Sequence, residues 1–461
     1  MTEAIRKSLR DSKAARWTAL LIVSFVMLTG YYVADVASPL KPMIEQQLGW
    51  TSAEYGFFTG AYAWFNVFLG LLVFGGLVLD KLGARFTGIA AGIMMVAGCG
   101  VKWWALHTHS LDNSTIHIIW DFKAQVLLAS LGFALFGAGI EIANVVATKL
   151  VARWFMGYEM ALAMGLQVST ARLGTFLALF IPAPIAAHFQ SVAAPVMVGV
   201  ILLAIGLLAY LFYCVMDKKL DASEADSGGL SDEEAFHISD IGRILKIRGF
   251  WYMTMLCALF YSAVFPFLKY APDLMVQKFG VRESLAGAIP SILPFATIPL
   301  TVVFGRYYDR KGKGATLMFL GAFLLVLVHF VFSVPFLNNW LIALAATIVL
   351  GFAFALVPSA MWPSIPKFIP QHQLGTAYAV IFWMQNLVAL WGVPYLIGWI
   401  LDRYCIVGTR VENGLSSPAY NYTLPMSVFT ALGVLAVVFG ILLKTEDKKM
   451  NYGLELPCQK V

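Results

Sequence analysis

The chain has 461 residues, of which 60% are hydrophobic and 13% charged, with a mean hydropathy of +0.77 and a net charge of +6. A soluble domain carries about a quarter charged residues, so this composition excludes one and points to a membrane protein. The positive balance follows membrane topology rather than nucleic-acid binding, and five scattered cysteines form neither a disulfide framework nor a metal-ligand pattern.

The amino-terminal residues before Trp17 are polar and basic. The apolar run after them has no small-residue cleavage site, which predicts a retained first helix. About twelve apolar stretches are long enough to cross a bilayer. They fall at 17–37, 53–79, 86–105, 123–151, 160–187 and 194–216, then at 250–276, 284–308, 315–336, 340–365, 374–401 and 425–443. This predicts an all-α membrane protein with twelve transmembrane helices in two pseudo-symmetric halves, 1–216 and 250–461. The linker at 217–249 is polar and closes on IGRILKIRGFW, which reads as an amphipathic helix on the membrane surface. Most Lys and Arg residues collect on the side shared by this linker and both termini, so both termini are expected in the cytoplasm.

Polar residues inside the spans mark candidate sites, because lipid tolerates a charge only at a cost of several kcal/mol. The first span places Tyr31, Asp35 and Ser38 on one face, and the second carries Tyr62 and Asn66. The fourth shows a stripe of Gly137, Glu141, Asn144 and Thr148, and the fifth carries Arg172. Glu141 and Arg172 stand at about equal distances from the turn that joins their helices, so antiparallel packing puts them at one depth. An empty site is expected to let them pair, and a zwitterion to replace that pair, its carboxylate on Arg172 and its ammonium on Glu141. The seventh span repeats Tyr261, Phe265 and Lys269 around Pro266, a predicted hinge. His329 reads as a core histidine. Trp362 lies between Pro358 and Pro363, and Gln385 with Asn386 lies in the eleventh span.

The halves repeat. QLGWTSAEYG at 47–56 matches KFGVRESLAG at 278–287, and GLVLDKLGAR at 76–85 matches GRYYDRKGKG at 305–314. Gly76 and Gly305 predict close helix approach, Gly83 and Gly312 tight turns. Asp80 and Asp309, with the basic neighbours Arg85 and Arg310, predict a latch between the halves on the cytoplasmic side. Repeated halves are the plan of alternating-access carriers.

These Gly-x-x-x-Asp-x-x-Gly loops resemble the signature of the major facilitator superfamily. GLQVSTARLG at 165–174, SAVFPF at 262–267 and MWPSIPKFIPQHQLGTAYAVIFWMQNL at 361–387 resemble its domain-containing protein 1 branch, whose members are lysosomal transporters of short peptides. The resemblance runs from YYVADVASPL to WILD. It implies facilitated passage of dipeptides, with Glu141 and Arg172 at the positions of the family's substrate-contacting acid and arginine, and Trp362 at its helix-10 tryptophan.

The expected function is a secondary transporter of dipeptides or similar small zwitterions, working as a uniporter. The alternatives are a proton-coupled carrier of organic anions or amino acids and a transporter-shaped receptor without flux. No enzyme motif occurs, and no cofactor or metal is expected. The expected partners are the substrate, the lipid bilayer and, for the coupled alternative, protons. The tail lacks an acidic dileucine motif, which argues against an accessory subunit and for a bacterial inner membrane, with a lysosomal or other endomembrane as the alternative.

Overall fold

The computed structural model describes residues 11–108, 110–111, 114–117, 121–224, 244–370, 373–412 and 414–457, without the side chains of 72–78, 80, 121, 161 and 222–224. Most of the linker therefore lies outside the described residues. Its two ends are described: the first, to Glu224, continues the helix that begins at Ala193, and the second passes from Ile244 through a turn into the helix that starts at Arg248.

In chain order the first half contains α1 (Lys13–Asp35), α2 (Lys41–Leu48), α3 (Ser52–Gly60), α4 (Trp64–Phe68), α5 (Leu71–His107), α6 (Ala124–Phe155), α7 (Met160–Phe180), α8 (Pro182–Phe189) and α9 (Ala193–Glu224). The second contains α10 (Arg248–Ser262), α11 (Phe265–Phe279), α12 (Ile292–Lys311), α13 (Gly314–Ser333), α14 (Trp340–Ser364), α15 (Leu374–Gln385), α16 (Val393–Tyr404) and α17 (Thr423–Met450). Two short antiparallel hairpins, β1 (Thr115–His117) with β2 (Asp121–Lys123) and β3 (Ile406–Glu412) with β4 (Leu415–Tyr420), lie between spans.

Ten helical runs are long and apolar enough to cross a membrane among the described residues. The other two expected spans are less regular. The stretch 53–79 is broken at the 3-10 turn Ala61–Ala63 and again at Gly70 (φ 63°), and 284–308 falls on α12, with Pro299 inside and Arg306–Lys311 at its end. The expected amphipathic helix lies partly outside the described residues: of IGRILKIRGFW, Ile244 is helical, a turn follows, and the last residues, from Arg248, belong to α10. A break at Ala263 and Val264 divides α10 from α11, just ahead of Pro266 at the start of α11.

The sequence repeat has a structural counterpart. Gly49 and Gly280 terminate α2 and α11 in the left-handed conformation (φ 61° and 64°), and Gly83 and Gly312 make the predicted turns with φ 78° and 69°.

At the end of the bundle away from the termini, the halves are sealed together. Asp402 at the end of α16 accepts the Ser52 and Ala53 N–H groups at 3.0 and 2.6 Å, capping α3 from the opposite half. Lys269 Nζ lies 2.5 Å from Asp35 Oδ1 and donates to the Ala34 carbonyl at 2.8 Å. Glycine makes this contact possible at two matched places. A Cβ on Gly56 would sit 2.5 Å from the Pro394 carbonyl oxygen, and one on Gly287 would sit 1.7 Å from that of Leu179.

Toward the termini the facing helices separate. On α7 and α12 a Cβ at Gly165 or Gly305 would meet nothing within 4 Å. Gly305 thus does not serve the close approach expected of it, because α12 has swung clear of the other half at this height. Two ion pairs here lie within the first half: Arg85 Nη2 meets Asp221 at 2.6 Å, and Arg153 Nη1 meets Asp217 at 3.1 Å.

In the second half the tail beyond α17 folds back as a strap. Lys313 and Gly314 N–H groups donate to the carbonyls of Glu455 and Leu454 at 2.9 Å, Glu455 Oε1 caps Thr316, and Lys367 Nζ donates to the Gly453 and Leu456 carbonyls.

A Gly287→Leu substitution should hold the far end open, since the carbonyl it meets is backbone and cannot yield. A cysteine placed at Ala37, buried in the closed seal, should then react with a membrane-impermeant maleimide in the Gly287→Leu protein and stay protected without it.

Candidate functional site

The parted faces leave open space at Gly165 and Gly305 between the halves, and Glu141 projects from the middle of α6. Gly137, one turn earlier, brings α6 against the 3-10 turn: a Cβ there would meet the Tyr62 carbonyl oxygen at 2.1 Å. That approach delivers the Tyr62 hydroxyl to Glu141 Oε1 at 2.7 Å, while Asn66 Nδ2 reaches the Gly137 carbonyl at 3.5 Å. Exposure rises along the predicted stripe. Gly137 is buried, Glu141 and Asn144 are half-buried, and Thr148 is exposed. Asn144 Nδ2 donates to the Tyr31 hydroxyl at 3.4 Å, tying the stripe to α1. The Tyr31 hydroxyl lies in the electrostatic field of Glu141, Arg172 and Asp35 together.

Arg172, on α7, reaches toward the other half, where its guanidinium carbon lies 4.8 Å from the centre of the Phe354 ring on α14. A cation over an aromatic face gains about 0.5–2 kcal/mol, more as water is excluded. Phe354 belongs to a cluster with Tyr261 and Phe265, the ring centres 5.0–5.8 Å apart. Trp362 stacks on Phe382 at 4.9 Å, and its carbonyl accepts the Tyr378 hydroxyl at 3.3 Å. One wall of the cavity is therefore polar and charged, the other aromatic.

Glu141 and Arg172 do not form the ion pair expected of an empty site. Each has another partner, Tyr62 for the acid and Phe354 for the guanidinium, and both are half-buried.

Four other predicted residues sit away from the open cavity. Asp35 is in the far-end seal with Lys269. Gln385 is 7% exposed and accepts from Cys257 Sγ at 3.5 Å, while Asn386, 4% exposed, opens a π-helical stretch, Asn386–Gly392. Tyr261 is 4% exposed and meets the cavity through the packed edge of its cluster.

In the predicted latch, Gly76 and the Asp80 side chain lie outside the description. Arg85 pairs with Asp217 and Asp221 of its own half, and Arg310 is exposed on the other. His329 is a core residue, its Nε2 2.8 Å from the Ala263 carbonyl. Phe354 gave no sequence signal, being one aromatic residue in an apolar helix. Lys102 and Asp273, both 0% exposed, are the buried charges that an intramembrane search would have added.

A family model described as Major Facilitator Superfamily matches residues 20–393. The lysosomal dipeptide transporter MFSD1 of Bos taurus is 25% identical over 403 residues, covering 84% of this chain and 80% of the relative. The hexuronate transporter of Bacillus subtilis is 23% identical over 436 residues, covering 91% and 94%. Among solved structures, a mutant of the nucleoside transporter NupG superposes with a TM-score of 0.70 at 14% identity, over 93% of this chain and 99% of that one.

If the stripe on α6 lines water, cysteine accessibility should follow its gradient. Thr148→Cys should react with a water-soluble maleimide in the substrate-free protein far faster than Ala138→Cys, which is buried; equal rates would place the stripe against protein or lipid.

Proposed function

The chain belongs to the Major Facilitator Superfamily, and from that membership we propose that it carries dipeptides or similar small zwitterions by alternating access, as a uniporter. It is an integral multi-pass membrane transporter and not an enzyme. The observation that carries the substrate reading is a separated pair of charges between the halves: an acid held by Tyr62 and a guanidinium over Phe354, not bonded to each other. A peptide's ammonium fits Glu141 beside Tyr62. Its carboxylate fits the fork of Arg172, whose guanidinium carbon lies 4.8 Å from the centre of the Phe354 ring. Tyr31, between them, would bond the peptide group, and Phe265 and Trp362 form the aromatic wall for side chains, with Tyr261 packed behind Phe265.

The similarity to MFSD1, named as a lysosomal dipeptide transporter, supports the same cargo. The two halves, 1–216 and 250–461, rock about this site, with the 217–249 linker and both termini on the cytoplasmic side. The names of the MFSD1 relatives favour an endomembrane over the bacterial inner membrane.

The hexuronate transporter gives a second reading, in which Arg172 clamps a lone organic anion and protons drive uptake. Glu141 weighs against it, since an anion without an ammonium leaves that acid facing negative charge.

Uptake into proteoliposomes separates the two. A dipeptide panel should equilibrate without responding to a pH gradient, whereas gradient-driven accumulation of a uronate would establish the anion reading. Glu141→Gln and Arg172→Ala should each abolish dipeptide uptake in folded protein, since losing one partner of a buried charge contact costs about 2–5 kcal/mol, or at least ~30-fold in affinity. Wild-type uptake in either variant would sink the assignment.

A further inference from the structure

The far-end seal buries a second set of charges, away from the substrate cavity. Lys41 and Glu45 lie one turn apart on α2, and Asp273 faces them from α11 across the seal. Lys41 Nζ is 2.7 Å from Glu45 Oε1 and 2.6 Å from Asp273 Oδ2, and none of the three side chains is more than 1% exposed. Ser52 Oγ and the Tyr420 hydroxyl donate to Glu45 Oε1 at 2.7 and 3.4 Å, and the Tyr422 hydroxyl donates to Asp273 Oδ2.

The remaining neighbours leave the balance unchanged. Tyr270 and Tyr420 set their rings 5.8 and 4.7 Å from the Lys41 ammonium, and the Tyr55 hydroxyl donates to the carbonyls of Ala37 and Lys269. Asp402 is half-exposed and satisfied by the start of α3 and by Tyr420, and Asp35 is matched by Lys269. One cation is therefore shared by two carboxylates. Glu45 Oε2 and Asp273 Oδ1 are each buried with no hydrogen-bond partner.

We propose that Lys41, Glu45 and Asp273 form a proton-binding lock: the two acids share one proton while the far end is closed and release it when it opens. With both acids ionised, the closed site would hold one net negative charge in a place water does not reach, which is strongly disfavoured. A proton on one of the bare oxygens removes that charge, and it belongs to the pair rather than to either acid. On opening, Lys41 and Glu45 stay together on α2 as a neutral pair, and Asp273 leaves with α11 into water. The proton comes from the far side and returns to the far side. Acidity there biases the gate without driving flux, so pH sensitivity and uniport are compatible. The inference rests on the rocking of the two halves and not on the identity of the cargo.

Spin labels on the full-length protein in lipid nanodiscs test it without substrate. One is attached at His188→Cys and one at Asn338→Cys, exposed far-end positions on opposite halves. Double electron–electron resonance distances then give the closed and open populations. Because closing takes up a proton, the closed-to-open ratio should rise as pH falls from about 8.5 to about 5.5, by up to about tenfold per pH unit. Glu45→Gln and Asp273→Asn should each flatten this dependence and remain closed at the alkaline end. A wild-type ratio indifferent to pH overturns the proposal, and so does a wild-type slope that survives in both variants. The wild-type series alone decides against it if neither variant folds.

Discussion

A charge removed from water must be matched, and this protein meets that constraint in two opposite ways. In the far-end seal the ions are matched by protein: Lys269 with Asp35, Lys41 with Glu45 and Asp273, Asp402 with the first amides of α3. In the cavity they are left to a phenol and an aromatic face. The contrast assigns the two regions their work. A closed seal needs no more than a proton to be electrically complete, whereas the cavity becomes complete only when something carrying both signs enters it.

The seal also depends on what is missing. Gly56 and Gly287 let backbone meet backbone across the halves, so the ion pairs and amide caps reach bonding distance. These contacts cross the seam between the halves, so opening the far end would break them. Fold stability and gate position are thereby set by different residues. The interior packing of each half carries the first, and a narrow set of seam contacts carries the second.

Much of this was legible in the chain. The repeat located the paired glycine turns, the polar stripe followed a face of α6 along which exposure rises, and the break near Pro266 was marked by the proline itself. The Glu141–Arg172 pair was misjudged because distance along a helix sets the height of a side chain and not its direction around the axis. Arg85 lies in the repeat loop, yet its carboxylate partners are on α9, more than a hundred residues away and within the same half. Phe354 and the tail strap had no local signature, since each acts through a contact that only the folded chain creates.

That strap gives the carboxyl terminus a mechanical character of its own. Residues 453–456 are bonded to the α12–α13 turn and to Lys367, all in the second half, and Leu454 is fully buried. Whatever is tethered beyond them rides on one rocker arm alone. A fluorophore fused there would register the tilt of that arm against the membrane, whereas one fused at the start of α1 would register its counterpart.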